Sequence, residues 1–273
     1  MRKHFLALAA STCCASPVFA QSNVTLYGIL DEGINFTNNA GGKHLVETAS
    51  GYAYGSRWGL KGSEDLGGGN KAVFQLENGF DINSGRAAQG GRMFGRQAYV
   101  GLSGQTWGTL TLGRQYDSMV DYVAPLTANG NWGGWLFAHP YDNDNTDNSF
   151  RLSQAVKYGS PDFGGFQFGG TYAFSNDTNF ANNRAFSVGA KYRTGGLSLG
   201  AAYLQADGPG TGPGGAIAAN DASFIAQRMR LFGMGVNYAT GPVTVGFAYT
   251  NANYRNPIGN GYLGTPTRSS RRA

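Results

Sequence analysis

The sequence is poor in most of what a soluble enzyme or a disulfide-stapled module uses. Its 273 residues include 2 cysteines, at positions 13 and 14, and 3 histidines, and only 14% of the chain is charged. Beyond residue 20 no run of about 18 apolar residues occurs, which excludes a membrane-spanning helix there.

Each shortage closes a class. The first twenty residues, "MRKHFLALAASTCCASPVFA", read as a signal peptide: Arg2 and Lys3 make a charged start, residues 5–10 an apolar stretch, and Val18, Phe19 and Ala20 a small-residue cleavage site, so the mature chain is expected to begin at Gln21. Both cysteines leave with this leader, and with them any disulfide framework or thiolate chemistry. His4 also leaves; His44 and His139 are far apart, and no nucleophile stands in an elbow or triad context, so no enzyme activity is expected. The glycines of "LGGGN" (66–70) lack the Lys-Ser/Thr and helix of a phosphate cradle and read as a tight turn. No cofactor is implied.

Formal net charge is +5, but Arg2 and Lys3 lie in the leader and Arg268, Arg271 and Arg272 in the last six residues. Residues 21–266 carry 16 Lys+Arg against 16 Asp+Glu, a balance that gives no support to nucleic-acid binding.

What the chain has in quantity is glycine (44), phenylalanine (17) and tyrosine (15). That mixture disfavours helices and suits aromatic-rich strands joined by tight turns. Strict period-two alternation recurs in eleven segments: 24–36, 56–62, 71–80, 95–103, 108–113, 154–159, 165–174, 185–192, 197–204, 231–238 and 243–250. In the later strands one face collects Phe166, Phe168, Phe186, Val188, Leu199, Phe232, Met234, Val245, Phe247 and Tyr249, and the other collects Gly, Ser, Thr, Ala and a few polar residues. A soluble sandwich also alternates, but studs its polar faces with Lys, Glu and Asp. Apolar faces with an aromatic near one strand end, over a small and polar opposite face, are the pattern of an all-β, antiparallel transmembrane β-barrel.

The connections support this reading. Short turns at "SEDLGGGN", "SGQTW", "SPDFG", "RTGG" and "TGP" alternate with long loops at 38–52, 82–92, 115–150, 175–184 and 205–227. With short turns in the periplasm, the 36 residues of 115–150 form the third and longest external loop.

The segments "VTLYGILDEG", "SRWGLKGSEDLGGGNKAVFQLENGF", "GRQAYVGLSG", "WGTLTLGRQYD" and "SFRLSQAVKYGSPDFGGFQFGGTYAFS" together resemble Gram-negative general-diffusion porins of the neisserial and beta-proteobacterial type, in consistent order over roughly 22–254. The resemblance implies a sixteen-stranded homotrimeric barrel of the outer membrane, in contact with outer-membrane lipid and lipopolysaccharide and inserted by the barrel-assembly machinery. Its third loop would fold inward, setting acids against a basic wall, and small polar solutes and ions would diffuse through passively.

Carried onto this chain, the basic wall is Arg57, Lys61, Arg96 and Lys157, each expected to alternate with apolar outward neighbours (Trp58 and Leu60, Tyr99, Val156 and Tyr158). A central cation on the lipid face costs roughly 2–4 kcal/mol, which favours the lumen. Arg114 has the parity of Leu110 and Leu112, so its strand is expected to end before it and release it into the third loop as a further constriction candidate. Asp117 and Asp121 are the candidate loop acids, spaced i, i+4 in a short helical turn ended by Pro125. Asp142, Asp144 and Asp147 begin like a calcium loop but lack Gly at the sixth position and Glu at the twelfth, and read as a polar surface loop; no metal site is assigned.

After Tyr254 the alternation stops, and residues 255–273 read as a tail outside the family pattern, about five strands short of it. The chain thus reads as a C-terminally truncated porin, and eleven strands cannot close antiparallel edge to edge. Alternatives are a non-conducting structural or adhesive surface barrel, a secreted β-protein, or a non-functional fragment.

Overall fold

The computed structural model describes residues 23–260. Strand β1 (Asn23–Ile29) is followed by a hairpin of β2 (Glu32–Ala40) and β3 (Lys43–Ser50). The chain continues through β4 (Arg57–Gly67), β5 (Asn70–Gly79), β6 (Gln97–Gly104), β7 (Gly108–Gln115), β8 (Leu152–Gly159), β9 (Phe166–Ala173), β10 (Arg184–Thr194), β11 (Leu197–Asp207), β12 (Phe224–Thr240) and β13 (Val243–Asn260). All but the hairpin form one eleven-stranded sheet in the order β1, then β4 to β13. Every neighbouring pair in it is antiparallel. Among the described residues β1 pairs only with β4 and β13 only with β12, so the wall is open between them.

The eleven expected strands are all present, with changes at several of their ends. The first does not run to residue 36. Asp31 turns out of the wall, its carboxylate accepting the backbone N–H groups of Ala53 (2.7 Å) and Tyr54 (2.6 Å), and the chain leaves as a separate hairpin. Strand β12 begins at Phe224, seven residues before the alternation suggested, and β13 runs on to Asn260, pairing Phe224 with Asn260 and Ile225 with Gly259.

The two faces separate as the parity required. Leu26, Val100, Leu112, Phe168, Val188, Met234 and Phe247 are 41–70% exposed on the outer face. Thr111, Thr171 and Ser187 are buried on the inner one.

What covers them is the segment 116–151 between β7 and β8, which lies across the inner face in short helical turns, including Met119–Val123 and Ala124–Leu126. Pro125 falls inside the second of these turns rather than after a single one. Met119 and Val123 are fully buried and join Leu204, Leu231 and Met229 of the wall in one apolar cluster. Burial of side chains this size stabilises by about 1.5–3 kcal/mol each, enough to hold a loop with little regular hydrogen bonding.

Inner-face glycines make the room. A Cβ on Gly200 would sit 2.1 Å from the backbone oxygen of Tyr122, and one on Gly189 2.4 Å from its ring. The segment therefore meets bare backbone on β10 and β11. A side chain at either position would push it off the wall.

Candidate functional site

The opposite part of the inner face, from β4 to β6, is built from charge. Arg57 and Lys61 share the inner parity of β4, and Glu77 of β5 lies beside them, its strand pairing Gly59 with Glu77. Arg96 donates from Nε to Glu77 Oε1 at 2.7 Å and from a terminal nitrogen to the Tyr116 hydroxyl at 3.1 Å. Glu77 accepts in addition from the hydroxyl of Tyr27 at 2.8 Å and that of Tyr116 at 3.1 Å. Every oxygen of this buried carboxylate is thus matched by a donor, the condition under which a buried ion pair persists.

Between this wall and the inward-folded loop lies a cavity of about 380 Å³, lined among others by Arg57, Arg96, Arg151, Asp147, Tyr54 and Trp135. Arg151, just before β8, is 3% exposed, and its Nε has no protein partner. Its guanidinium lies over the Tyr116 ring, 5.7 Å from the centroid. Burial, with Arg96 close by, lowers its pKa to about 10, so it keeps its charge at neutral pH. Burial also pushes the Asp147 carboxyl up to about 6, against the pull of Arg151, Arg96 and Arg57.

The sequence-derived basic set divides. Arg57 and Arg96 line the cavity. Lys61 stands further along β4 with its ammonium over the Tyr27 ring, 5.2 Å from the centroid. Lys157, on the inner parity of β8, belongs to the side that carries the loop: it pairs with Asp121 and donates to the backbone oxygen of Tyr116 at 3.0 Å.

Two parity expectations are corrected. Arg114 is not released into a loop, since β7 continues to Gln115. A register shift between Gly113 (φ 134°) and Gln115 turns Arg114 inward. There it is buried, bonding Asp221 (2.7 Å), Ser153 (2.8 Å) and the carbonyl of Gly95 (2.7 Å). Tyr99 faces inward, not outward, its hydroxyl donating to Gln75 at 2.8 Å; β6 starts at Gln97, so Arg96 precedes it and does not follow its alternation.

The loop acids do not share one face. Asp117 is fully buried, accepting from Asn145 Nδ2 (2.6 Å) and the backbone N–H of Met119 (2.7 Å), and burial pushes its carboxyl up to about 6. Asp121 meets Lys157 instead. Asp142 accepts the backbone N–H groups of Asp147 and Ser149, both at 2.9 Å, while Asp144 meets His139 at 2.5 Å and the Thr250 hydroxyl of β13 at 2.6 Å. These carboxylates shape the loop and tie it to the wall. Among the described residues no group of three or more His, Cys, Asp or Glu is placed to hold a metal.

Arg151 was missed by the sequence reading, although it has the parity of Lys157.

An antiparallel wall that is apolar outside and carries an arginine-lined cavity under an inward loop has the build of a membrane-barrel wall, and comparison with known proteins names the family. The model of the Gram-negative porin family matches residues 6–270, and the chain belongs to that family. It is 36% identical over 250 residues to an outer membrane porin protein of Bordetella pertussis, covering 82% of this chain and 64% of that one. To outer membrane porin protein 32 of Delftia acidovorans it is 35% identical over 186 residues, 64% of this chain and 50% of the relative. To the major outer membrane protein P.IB of Neisseria meningitidis it is 32% identical over 214 residues, 75% and 60%. The chain thus spans half to just under two thirds of the length of these relatives. Among solved structures, the anion-selective porin from Comamonas acidovorans superposes with a TM-score of 0.68 at 25% identity, over 89% of this chain and 70% of that one.

Proposed function

We propose that this chain contributes the wall and constriction of an outer-membrane channel for passive diffusion of small hydrophilic solutes and ions, with a preference for anions. The observation that carries the reading is the cavity between β4 and the inward loop, where Arg57, Arg96 and Arg151 converge. Glu77 neutralises Arg96 in part, but the cavity lining sets Arg57, Arg96 and Arg151 against the single carboxylate of Asp147, a positive surplus that a passing anion meets. In a low-dielectric constriction, fixed charge of one sign raises the local concentration of the opposite ion. The similar Comamonas porin is anion-selective by its description, which agrees with this wall.

The same reading assigns Arg57, Lys61, Arg96 and Lys157 to the basic lining, with Arg151 added, and Asp121 to the loop side. Arg114 and Asp117 become supports of the constriction, since each is spent on buried partners. It also carries a homotrimer set in outer-membrane lipid and lipopolysaccharide, inserted by the barrel-assembly machinery, and no enzyme activity.

Planar-bilayer recording tests the channel, with Arg57→Ala and Arg96→Ala compared. Discrete conductance steps altered by both substitutions support the reading; folded, heat-modifiable trimers without any step would reject it in favour of a non-conducting surface barrel.

A further inference from the structure

The arginine cavity is also lined by aromatic rings. Tyr54 is 48% and Trp135 46% exposed, yet neither is loosely held. Trp135 stacks on Tyr52 with centroids 5.3 Å apart and planes at 19°, and its backbone N–H donates to the Tyr52 carbonyl at 3.0 Å. Tyr54 donates from its hydroxyl to the Asn131 carbonyl at 3.0 Å, and its backbone N–H is held by Asp31. Two segments far apart in sequence, 52–54 and 131–135, are thus bonded to each other beside the guanidinium groups.

Ion conduction needs no such rings. Exposed, preorganised aromatic faces stabilise a ligand with a π-system, and such a pair contributes about 0.5–1.5 kcal/mol beyond area burial. A guanidinium matches a carboxylate in a planar, charge-assisted geometry, and three of them line this cavity. Both features line one cavity, whose volume of about 380 Å³ exceeds that of a single-ring acid.

We propose that this cavity is a binding site for aromatic carboxylates, the carboxylate held by Arg151 with Arg57 or Arg96 and the ring held against Trp135 and Tyr54. The site rests on the diffusion-channel reading and narrows its solute class: single-ring aryl acids would dwell in the constriction, where saturated acids of equal charge and size pass.

Benzoate and cyclohexanecarboxylate, alike in charge and nearly in size, separate the ring from the carboxylate. Each is titrated into the KCl current of the reconstituted full chain at pH 7. Benzoate should halve the current at a concentration about two- to twelvefold below that of cyclohexanecarboxylate, the range that aromatic pairing energies give. Trp135→Leu should bring benzoate to the cyclohexanecarboxylate value. Equal potency of the two acids on the unaltered chain, or a benzoate advantage that survives Trp135→Leu, overturns the site. Absence of any conductance step counts against the channel alone; saturation-transfer NMR between the detergent-folded chain and benzoate then decides the site. Transfer to benzoate that exceeds transfer to cyclohexanecarboxylate supports it, and equal or no transfer overturns it.

Discussion

The inner face of this wall is two surfaces made by one alternation. From β9 to β12 the inward positions are Gly169, Gly189, Gly200 and Gly233 with Ala202, Leu204 and Leu231, and the loop segment Met119–Leu126 lies on them. From β4 to β6 the inward positions are Arg57, Glu77 and Tyr99, of which Glu77 is joined to Arg96 and Tyr116 by hydrogen bonds and Tyr99 to Gln75, with a cavity in front. One half accepts a loop by removing side chains; the other sets charged side chains beside a cavity. The lesson is that an inward position is not by itself a pore-lining position. Whether it meets water or loop depends on which strands the loop crosses, a long-range matter that period-two patterning does not encode.

Breaking the charged half should have the largest effect. Arg96→Leu leaves Glu77 buried without its ion-pair partner and should destabilise the folded chain by about 3–5 kcal/mol, whereas Arg96→Leu with Glu77→Leu should recover most of that loss. Urea unfolding of the detergent-solubilised protein checks both. By contrast, breaking the half-exposed Arg184–Asp207 pair at the long-loop end should cost about 0–1 kcal/mol.

On the seat side, Gly200→Val should unseat the loop, because the new Cβ meets the Tyr122 carbonyl rather than a movable side chain. Overpacking of this kind costs about 1–3 kcal/mol. The readout is faster proteolysis within 116–151 and a larger, noisier conductance; loop protection equal to wild type would show that the glycines are incidental.

A third effect, smaller, sharpens the cavity side through pH. Asp147 faces Arg151, Arg96 and Arg57, with Asp142 and Asp144 behind it in the loop. Its carboxyl is raised to about 6, so it is mostly ionised at pH 7.5 and mostly neutral at pH 5. Lowering the pH through 6 removes one negative charge from the cavity, and anion preference should rise. Asp142, raised by burial to about 7, titrates nearby, and Asp147→Asn separates the two by removing most of the response. A preference that falls on acidification would contradict the assignment.

Much of this was legible in the residues. All eleven wall strands, their outward aromatic and aliphatic faces, and the inward placement of Arg57, Lys61 and Lys157 follow from alternation and the cost of charge in lipid. The failures along the wall share one cause, local departures from the ladder. The bulge after Gly113 inverts Arg114, the start of β6 at Gln97 frees Arg96 from the parity of its neighbours, and Asp31 caps a distant backbone and so ends β1. Arg151 escaped notice because its importance lies in burial between loop and wall. Asp117 and Asp121 read as a pair on one face, but packing of Met119 into the wall sends one to Asn145 and the other to Lys157.

In the proposed channel, the arginine-lined constriction between β4 and the inward loop governs which ions cross. The most direct test is the reversal potential of the reconstituted chain across a tenfold KCl gradient at pH 7. The expected potential has the sign that marks chloride as the more permeant ion and moves toward zero in Arg151→Ala. A potential marking potassium as the more permeant ion, or one that Arg151→Ala leaves in place, would contradict it.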